Sequence, residues 1–212
     1  MDDEHNHAHH IHDHEHEHEP LVVEDGAGNI EAQIIVDALQ DILISKGLLT
    51  APEVTKEIER LESPGVHLGA KIVAKAWTDP DYKARLLKSG KSSIQDIGIP
   101  VGEAQIIVVE NTDDVHNLIT CTLCSCYPRS ILGQPPSWYL SKAYRARSVR
   151  EPRKVLQEFG LDLPNSIQLI VHDSNADMRY LVLPQAPKDV EKLSIETLEA
   201  VITRDHLIGV RR

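Results

Sequence analysis

The cysteines of this chain are the residues whose type and spacing could do chemistry. All three lie in the segment Cys121-Thr122-Leu123-Cys124-Ser125-Cys126. Thiolate sulfur is a soft ligand that favours transition metals over magnesium or calcium. Because Cys124 and Cys126 are two residues apart, binding of one ion by both sulfurs would draw the amides of Ser125 and Cys126 against it. If those amides lose their protons, two sulfurs and two nitrogens form a nearly planar set. Cys121 could then bind from one side and leave the opposite position open, as a catalytic low-spin trivalent metal requires.

Other interpretations of the cysteines stay open at this point. Free cysteines can be inert core residues, because the thiol packs as a small hydrophobic group. A structural zinc site would need a fourth ligand, which His116 or His172 could supply. A disulfide would leave one thiol over and close only a very small loop, so it would stabilise the fold little. A non-catalytic protein that stores or delivers cobalt would hold divalent, exchangeable metal on unoxidised sulfurs.

The cysteine segment and the following Tyr127-Pro128 resemble the metal-binding motif of the nitrile hydratase α subunit. The similarity extends over about residues 29–210 and includes residues 69–77, 109–112, 132–139 and 201–205. In that family the residue after the first cysteine is commonly Thr in cobalt enzymes and Ser in iron enzymes. Thr122 therefore implies non-corrin Co(III) in preference to Fe(III).

The resemblance also implies an activity, the hydration of a small nitrile to its amide. The metal would be held by Cys121, Cys124, Ser125 and Cys126, with Cys121 an unmodified thiolate, Cys124 a sulfinate and Cys126 a sulfenate. The sulfenate oxygen of Cys126 would be the nucleophile, or the base that acts on water. Ser125 would contribute its amide, and its hydroxyl would help to orient the substrate.

The partners implied by the resemblance are proteins. A β subunit would supply arginines to the oxidised sulfurs in an αβ or α2β2 assembly, and an activator or metallochaperone would load the cobalt. One residue departs from the cobalt nitrile hydratase pattern, in which Trp often follows Tyr127-Pro128. In this chain the residue at that position is Arg129. A basic residue there resembles the pattern of thiocyanate hydrolase, a related cobalt enzyme. Because a guanidinium favours an anion or a polar nitrile, thiocyanate hydrolysis is the alternative to nitrile hydration.

The elements that must position the cysteines begin with helices. Apolar spacing predicts one helix over residues 29–47 that ends at Gly47, and another that starts at Pro52. Residues 69–77 are predicted to form a third, and Asp79-Pro80 a fourth that ends at Gly90. These broad apolar stripes predict a helical arm over residues 21–100. The pattern leaves open whether the arm packs on its own core, and the resemblance implies that it embraces a β subunit.

The second half of the chain has a mixed character. Residues 105–109 and 115–120 predict partner strands that lead into the cysteine segment, and residues 167–171 and 179–183 predict a hairpin. Three helices are predicted: one from Pro135-Pro136 towards Val149, one over residues 152–159, and one after Ser194. The helix after Ser194 is predicted to be the last helix of the chain. Because strands and helices do not alternate regularly, the class is α+β. The resemblance implies a layered α/β/β/α metal-binding catalytic domain over residues 101–212. Arginines of residues 145–153 are interpreted as ion-pair or interface donors, and Trp77, Trp138, Tyr139 and Tyr144 as core or subunit-contact aromatics.

Composition limits the remaining function classes. The formal net charge of -11 argues against nucleic-acid binding. No apolar run has the length of a membrane span, and the polar amino end does not resemble a signal sequence. The small number of cysteines is typical of a cytoplasmic protein. Residues 1–20 carry eight histidines among acidic residues. They predict a disordered tail that could hold divalent cobalt, nickel or zinc loosely.

Overall fold

The helical first half follows the predicted order. The computed structural model describes residues 30–212, so the histidine-rich tail and Asn29 lie outside the described residues. Five helices come first: α1 (Ile30–Ser45), α2 (Ala51–Glu62), α3 (Val66–Thr78), α4 (Pro80–Lys88) and α5 (Gly90–Asp96). Gly47 follows α1 with φ of 66°, as its role of left-handed cap requires. Asp79 caps α4 by accepting from the Tyr82 amide. The prediction that Gly90 ends α4 is wrong, because Gly90 is the first residue of α5.

Helices α1 and α2 expose their apolar residues. Ile30 is 74% exposed and Ile34 is 62% exposed, and α2 contains no buried residue. Helix α2 has a stable start, because Thr50 and Glu53 form a reciprocal capping box. In contrast, α3 has six buried residues among its thirteen. The arm that the sequence predicts therefore has its first two helices uncovered in the single chain, and they are not folded back on the core.

Four parallel-paired strands carry the second half. They are β1 (Gln105–Glu110), β2 (Val115–Thr120), β3 (Gln168–Asp173) and β4 (Met178–Leu183). Strand β1 pairs with β4 and β2 pairs with β3, so two sheets of two strands form among the described residues. The predicted pairing of β1 with β2 is wrong, and so is the predicted hairpin of β3 and β4. The short connection after Asp173 is an Asx turn at Asn175, and it passes from one sheet to the other.

The helices between β2 and β3 provide the crossover that a parallel pair needs. They are α6 (Arg129–Leu132), α7 (Ser137–Leu140), α8 (Lys142–Arg150) and α9 (Pro152–Glu158). The continuous helix predicted from Pro135 towards Val149 is broken at Ser141, which is extended and caps α8 by accepting from the Tyr144 amide. Two helices close the chain, α10 (Ile195–Val201) and α11 (Arg204–Ile208), so the helix after Ser194 is not the last.

These elements form four layers. Helices α4 and α5 contact β1, the β1–β4 sheet contacts the β2–β3 sheet, and α8 and α9 contact β2 and β3. The predicted α+β class with α/β/β/α layers is confirmed. The predicted aromatics Tyr139 and Tyr144 are fully buried in the core, and Trp138 packs edge-to-face on Tyr144. No helix within residues 30–212 has the length and apolar character needed to cross a bilayer.

Candidate metal centre

The cysteine segment is a loop that begins where β2 ends. The three sulfurs lie within 4.8 Å of one another. The Sγ atom of Cys124 is 3.5 Å from that of Cys121 and 3.0 Å from that of Cys126. These distances are well beyond the S–S bond length of about 2.05 Å, so all three thiols are free. The loop therefore brings the predicted sulfur ligands together around one point.

Amides of the loop lie next to its sulfurs. The Cys124 amide donates to Cys121 Sγ at 3.4 Å. The pKa of Cys124 is lowered, first by its contacts with the sulfurs of Cys126 and Cys121 and then by the adjacent amides of Ser125 and Cys126. Burial is the main cause that raises the pKa of Cys126 to about 12, and its contact with Cys124 adds to it. Cys121 and Cys126 are buried, whereas Cys124 is exposed. Three sulfurs with two adjacent amides form a donor set that fits a metal whose ligands lose their protons on binding.

The start of the loop is fixed by a carboxylate. Asp173 is the last residue of β3, and the parallel register places it beside Thr120. Its Oδ1 accepts from the Thr122 amide at 2.8 Å, and its Oδ2 accepts from the Thr122 hydroxyl at 2.6 Å. The sheet register thus determines where Thr122, and Cys121 before it, must lie.

The far side of the loop is held by α7 and α8. The Tyr139 hydroxyl donates to the Cys126 carbonyl at 2.8 Å, and Arg145 Nη1 donates to the Cys124 carbonyl at 2.7 Å. Tyr144 donates in the same way to Ile119, one residue before the end of β2. Two carbonyls of the loop, those of Cys124 and Cys126, are therefore held by side chains of α8 and α7.

A cavity of about 450 Å³ opens in front of the loop. Cys124, Ser125 and Cys126 line it together with Arg129 and Arg179. Arg179 lies near enough to Cys126 to oppose the rise in the pKa of that thiol. A larger, mainly apolar cavity of about 710 Å³ lies alongside and shares the wall formed by Arg129 and Glu103. Two cationic side chains of this chain therefore line the cavity in front of the loop.

The candidate zinc ligands lie elsewhere. His116 Nε2 donates to the Gly209 carbonyl at 2.7 Å, and His172 Nε2 donates to Asn117 at 2.8 Å. In the part of the chain that the structure describes, no histidine or carboxylate joins the group of the three cysteines. A tetrahedral site with His116 or His172 as the fourth ligand is therefore not built here.

Sequence reasoning missed three residues that border or hold the loop. Asp173 was expected in a hairpin turn, Arg145 was expected to form ion pairs or interface contacts, and Arg179 was expected only in a strand. The ion-pair interpretation is confirmed for Arg147, which contacts Glu151 and Glu158. The parallel register would have identified Asp173, but the local sequence gives no sign of that register.

Comparisons with known proteins agree with this geometry. The family described as "Nitrile hydratase, alpha chain" matches residues 30–211. The chain is 48% identical over 178 residues to a nitrile hydratase subunit alpha from Rhodococcus sp, covering 82% of this chain and 89% of the relative. It is 46% identical over 178 residues to the cobalt-containing nitrile hydratase subunit alpha of Pseudonocardia thermophila, covering 82% and 87%. Thiocyanate hydrolase subunit gamma of Thiobacillus thioparus is 38% identical over 190 residues, covering 84% and 78%.

Solved structures give the same result. A double mutant of the Fe-type nitrile hydratase from Comamonas testosteroni Ni1 superposes with a TM-score of 0.79 at 44% identity, covering 87% of this chain and 91% of that chain. A thiocyanate hydrolase mutant superposes with a TM-score of 0.77 at 37% identity, covering 85% and 89%. The match spans the arm, the layered domain and the cysteine loop, and the chain therefore belongs to the nitrile hydratase α-chain family.

Proposed function

We propose that this chain is the metal-bearing α subunit of a nitrile hydratase, which hydrates a small nitrile to its amide at a non-corrin Co(III) centre. The observation that carries the proposal is the convergence of three free sulfurs beside a cavity, with the amides of Ser125 and Cys126 adjacent to the Cys124 sulfur. We place the enzyme in the cytoplasm, because a reducing compartment suits unpaired cysteines. The layered domain over residues 101–212 is proposed as the catalytic unit, with residues 21–100 as the arm.

The residues that would hold the metal are Cys121, Cys124 and Cys126 through sulfur, and Ser125 and Cys126 through their amide nitrogens. When bound, a trivalent metal would supply Lewis acidity, polarising a nitrile and lowering the pKa of water. Cobalt is preferred because Thr122 follows the first cysteine and because the Pseudonocardia thermophila relative is named as cobalt-containing. The Fe-type relative from Comamonas testosteroni keeps Fe(III) as the less favoured alternative.

The roles of the loop residues are those that the family resemblance implies, and the positions of the residues are compatible with them. Cys126 lines the cavity, and as a sulfenate its oxygen would be the nucleophile or the base for water. Cys124 would be the sulfinate, and Cys121, which is buried, would remain a thiolate. Ser125 lines the cavity too, so its hydroxyl can orient a polar substrate. A sulfenate is ordinarily short-lived and needs such a protected, hydrogen-bonded setting.

A β subunit is the proposed partner, in an αβ or α2β2 assembly that an activator or metallochaperone loads with cobalt. The exposed apolar residues of α1 and α2 support this proposal, because an uncovered stripe of this extent marks an interaction surface. The β subunit would add arginines to the oxidised sulfurs. The isolated chain should therefore have little activity.

Thiocyanate hydrolysis is the second candidate, and Arg129 is the observation that favours it. This guanidinium borders the cavity together with Arg179, so the cavity carries positive charge that suits an anion. The two activities separate in one comparison of the chain assembled with its β partner. Faster turnover of an aliphatic nitrile than of thiocyanate supports nitrile hydratase, and the opposite order supports thiocyanate hydrolase.

Metal content and peptide mass test the catalytic proposal against simple cobalt storage. The enzyme should contain about one tightly bound cobalt per chain, and the peptide that spans residues 121–126 should carry three added oxygens. Cys124→Ser should lose both signatures. Unoxidised sulfurs with readily exchanged divalent metal would instead indicate a storage protein.

A further inference from the structure

One peptide group of the cysteine loop is held through its carbonyl oxygen. The carbonyl of Cys124 accepts from Arg145 Nη1 at 2.7 Å, the short distance typical of a charge-assisted hydrogen bond. The nitrogen of the same peptide group is that of Ser125, one of the two amides proposed above to hold the metal. In a trans peptide the C=O and N–H point in opposite directions. By fixing the oxygen, Arg145 therefore also fixes the direction in which the Ser125 nitrogen faces.

The guanidinium of Arg145 differs from that of the nearby Arg147 in having no carboxylate partner among residues 30–212. Its neighbour on α8, Arg147, is bound by Glu151 and Glu158. Arg145 forms no ion pair with any acidic side chain of residues 30–212, and its Nε is buried there without a hydrogen-bond partner. The guanidinium is otherwise partly exposed, and the Cys124 carbonyl is the one acceptor that its side chain binds among residues 30–212. Its charge is therefore directed at that peptide group.

We propose that Arg145 is a positioning residue of the metal centre. It holds the Cys124–Ser125 peptide with the nitrogen towards the sulfurs. It also balances the negative charge that this peptide carries when its nitrogen is a metal ligand. The reason is the resonance that keeps the peptide planar, because it shares charge on the nitrogen with the carbonyl oxygen. A hydrogen bond to that oxygen from a cation becomes stronger as the oxygen gains charge. The inference rests on the metal site proposed above.

A second anchor of the loop provides a contrast. Tyr139, a neutral donor, binds the carbonyl of Cys126. That carbonyl belongs to the peptide whose nitrogen is that of Tyr127, which is not among the proposed ligands. The loop thus has a charged donor at a peptide that would carry negative charge and a neutral donor at a peptide that would not.

The test uses the full chain assembled with its β partner, as wild type, Arg145→Gln, Arg145→Lys and Arg153→Gln. Arg153 is the matched control, because its guanidinium also donates to main-chain carbonyls, those of Leu163 and Pro164, but away from the cysteine loop. Cobalt affinity is measured by competition with a chelator during loading. The sulfur-to-cobalt charge-transfer absorption is recorded on the loaded proteins, and urea unfolding reports the stability of the metal-free proteins.

We expect Arg145→Gln to weaken apparent cobalt affinity by about tenfold or more and to shift the charge-transfer absorption. Arg145→Lys should recover part of the affinity, because it keeps the charge but loses the planar geometry of the guanidinium. Arg153→Gln should bind cobalt like wild type, with the wild-type spectrum, even if it loses as much stability.

Equal cobalt affinity and equal spectra for Arg145→Gln and Arg153→Gln would overturn the inference and leave the proposed function intact. If wild type itself takes up no tightly bound cobalt, the proposed metal site is wrong whatever Arg145 does. If Arg145→Gln does not fold, the uncharged variant Arg145→Met is measured in its place, and a wild-type spectrum and affinity in that variant would refute the role.

Discussion

The contact of Asp173 with Thr122 is the one on which the position of the cysteine loop depends most directly. Asp173→Ala would remove two hydrogen bonds, those at 2.8 and 2.6 Å, and Thr122→Val would remove only the second. A hydrogen bond to a charged group contributes about 1.5–3 kcal/mol when sheltered, and because both residues are exposed we use about 1 kcal/mol for each. Asp173→Ala should therefore cost about 2 kcal/mol in the free energy of unfolding, and Thr122→Val about 1 kcal/mol.

The double variant gives the sharper result. With Asp173 gone, the Thr122 hydroxyl has no bond left to lose, so the double variant should cost about 2 kcal/mol and not the sum of about 3 kcal/mol. Urea unfolding of the four metal-free full chains measures this coupling of about 1 kcal/mol. Thr122→Ser, which keeps the hydroxyl, is the control and should stay within about 0.5 kcal/mol of wild type. Strictly additive costs would show that the two side chains do not act together, and the account of the loop would be wrong.

Three further predictions concern the histidines and the glycines. Burial lowers the pKa of His116, so the folded chain favours the neutral ring while the unfolded chain takes up a proton below about pH 6.5. Stability should therefore be complete above that pH and fall as the pH drops below it, and the urea midpoint of His116→Gln should vary less with pH. Gly209→Ala should cost more than about 3 kcal/mol in urea unfolding, because its Cβ would lie 1.9 Å from the Asn117 carbonyl oxygen. Gly98→Ala, with a similar φ and nothing within 4 Å, should cost only about 1 kcal/mol. Deleting residues 1–19 should remove weak Ni²⁺ binding in calorimetry and leave tightly bound cobalt unchanged, whereas unchanged Ni²⁺ binding would refute the metal-binding role of the tail.

Local sequence predicted local features of this fold. Gly47 after α1, Asp79 before α4 and Ser194 before α10 are where they were expected, because a helix end is decided by a few adjacent residues. The break at Ser141 was missed because Pro135-Pro136 suggests one continuous helix, whereas Ser141 is extended and its hydroxyl caps a new helix by accepting from the Tyr144 amide.

Strand pairing could not be predicted in the same way. Residues 167–171 and 179–183 have the composition of a hairpin, and the turn residues between them are real, yet each strand finds its partner in the first half of the domain. That choice depends on which faces the helices α4, α5, α8 and α9 cover, which is not encoded near the strands. For the same reason the cysteine ligands could be identified from spacing, but Asp173, Arg145 and Arg179 could not.

The nested pairing of the strands has a consequence for the order of assembly in the cell. Along the chain, helices α6 to α9 lie between the paired strands β2 and β3, and all of these elements lie between the paired strands β1 and β4. The cysteines leave the ribosome before Arg145 and well before Asp173, so the nascent chain exposes its thiols while both of their supports are still missing. Contacts between such distant segments form late, because closing a long stretch of chain costs entropy before any contact repays it. The three sulfurs should therefore reach their final positions only after Asp173 has been synthesised and β3 has paired with β2.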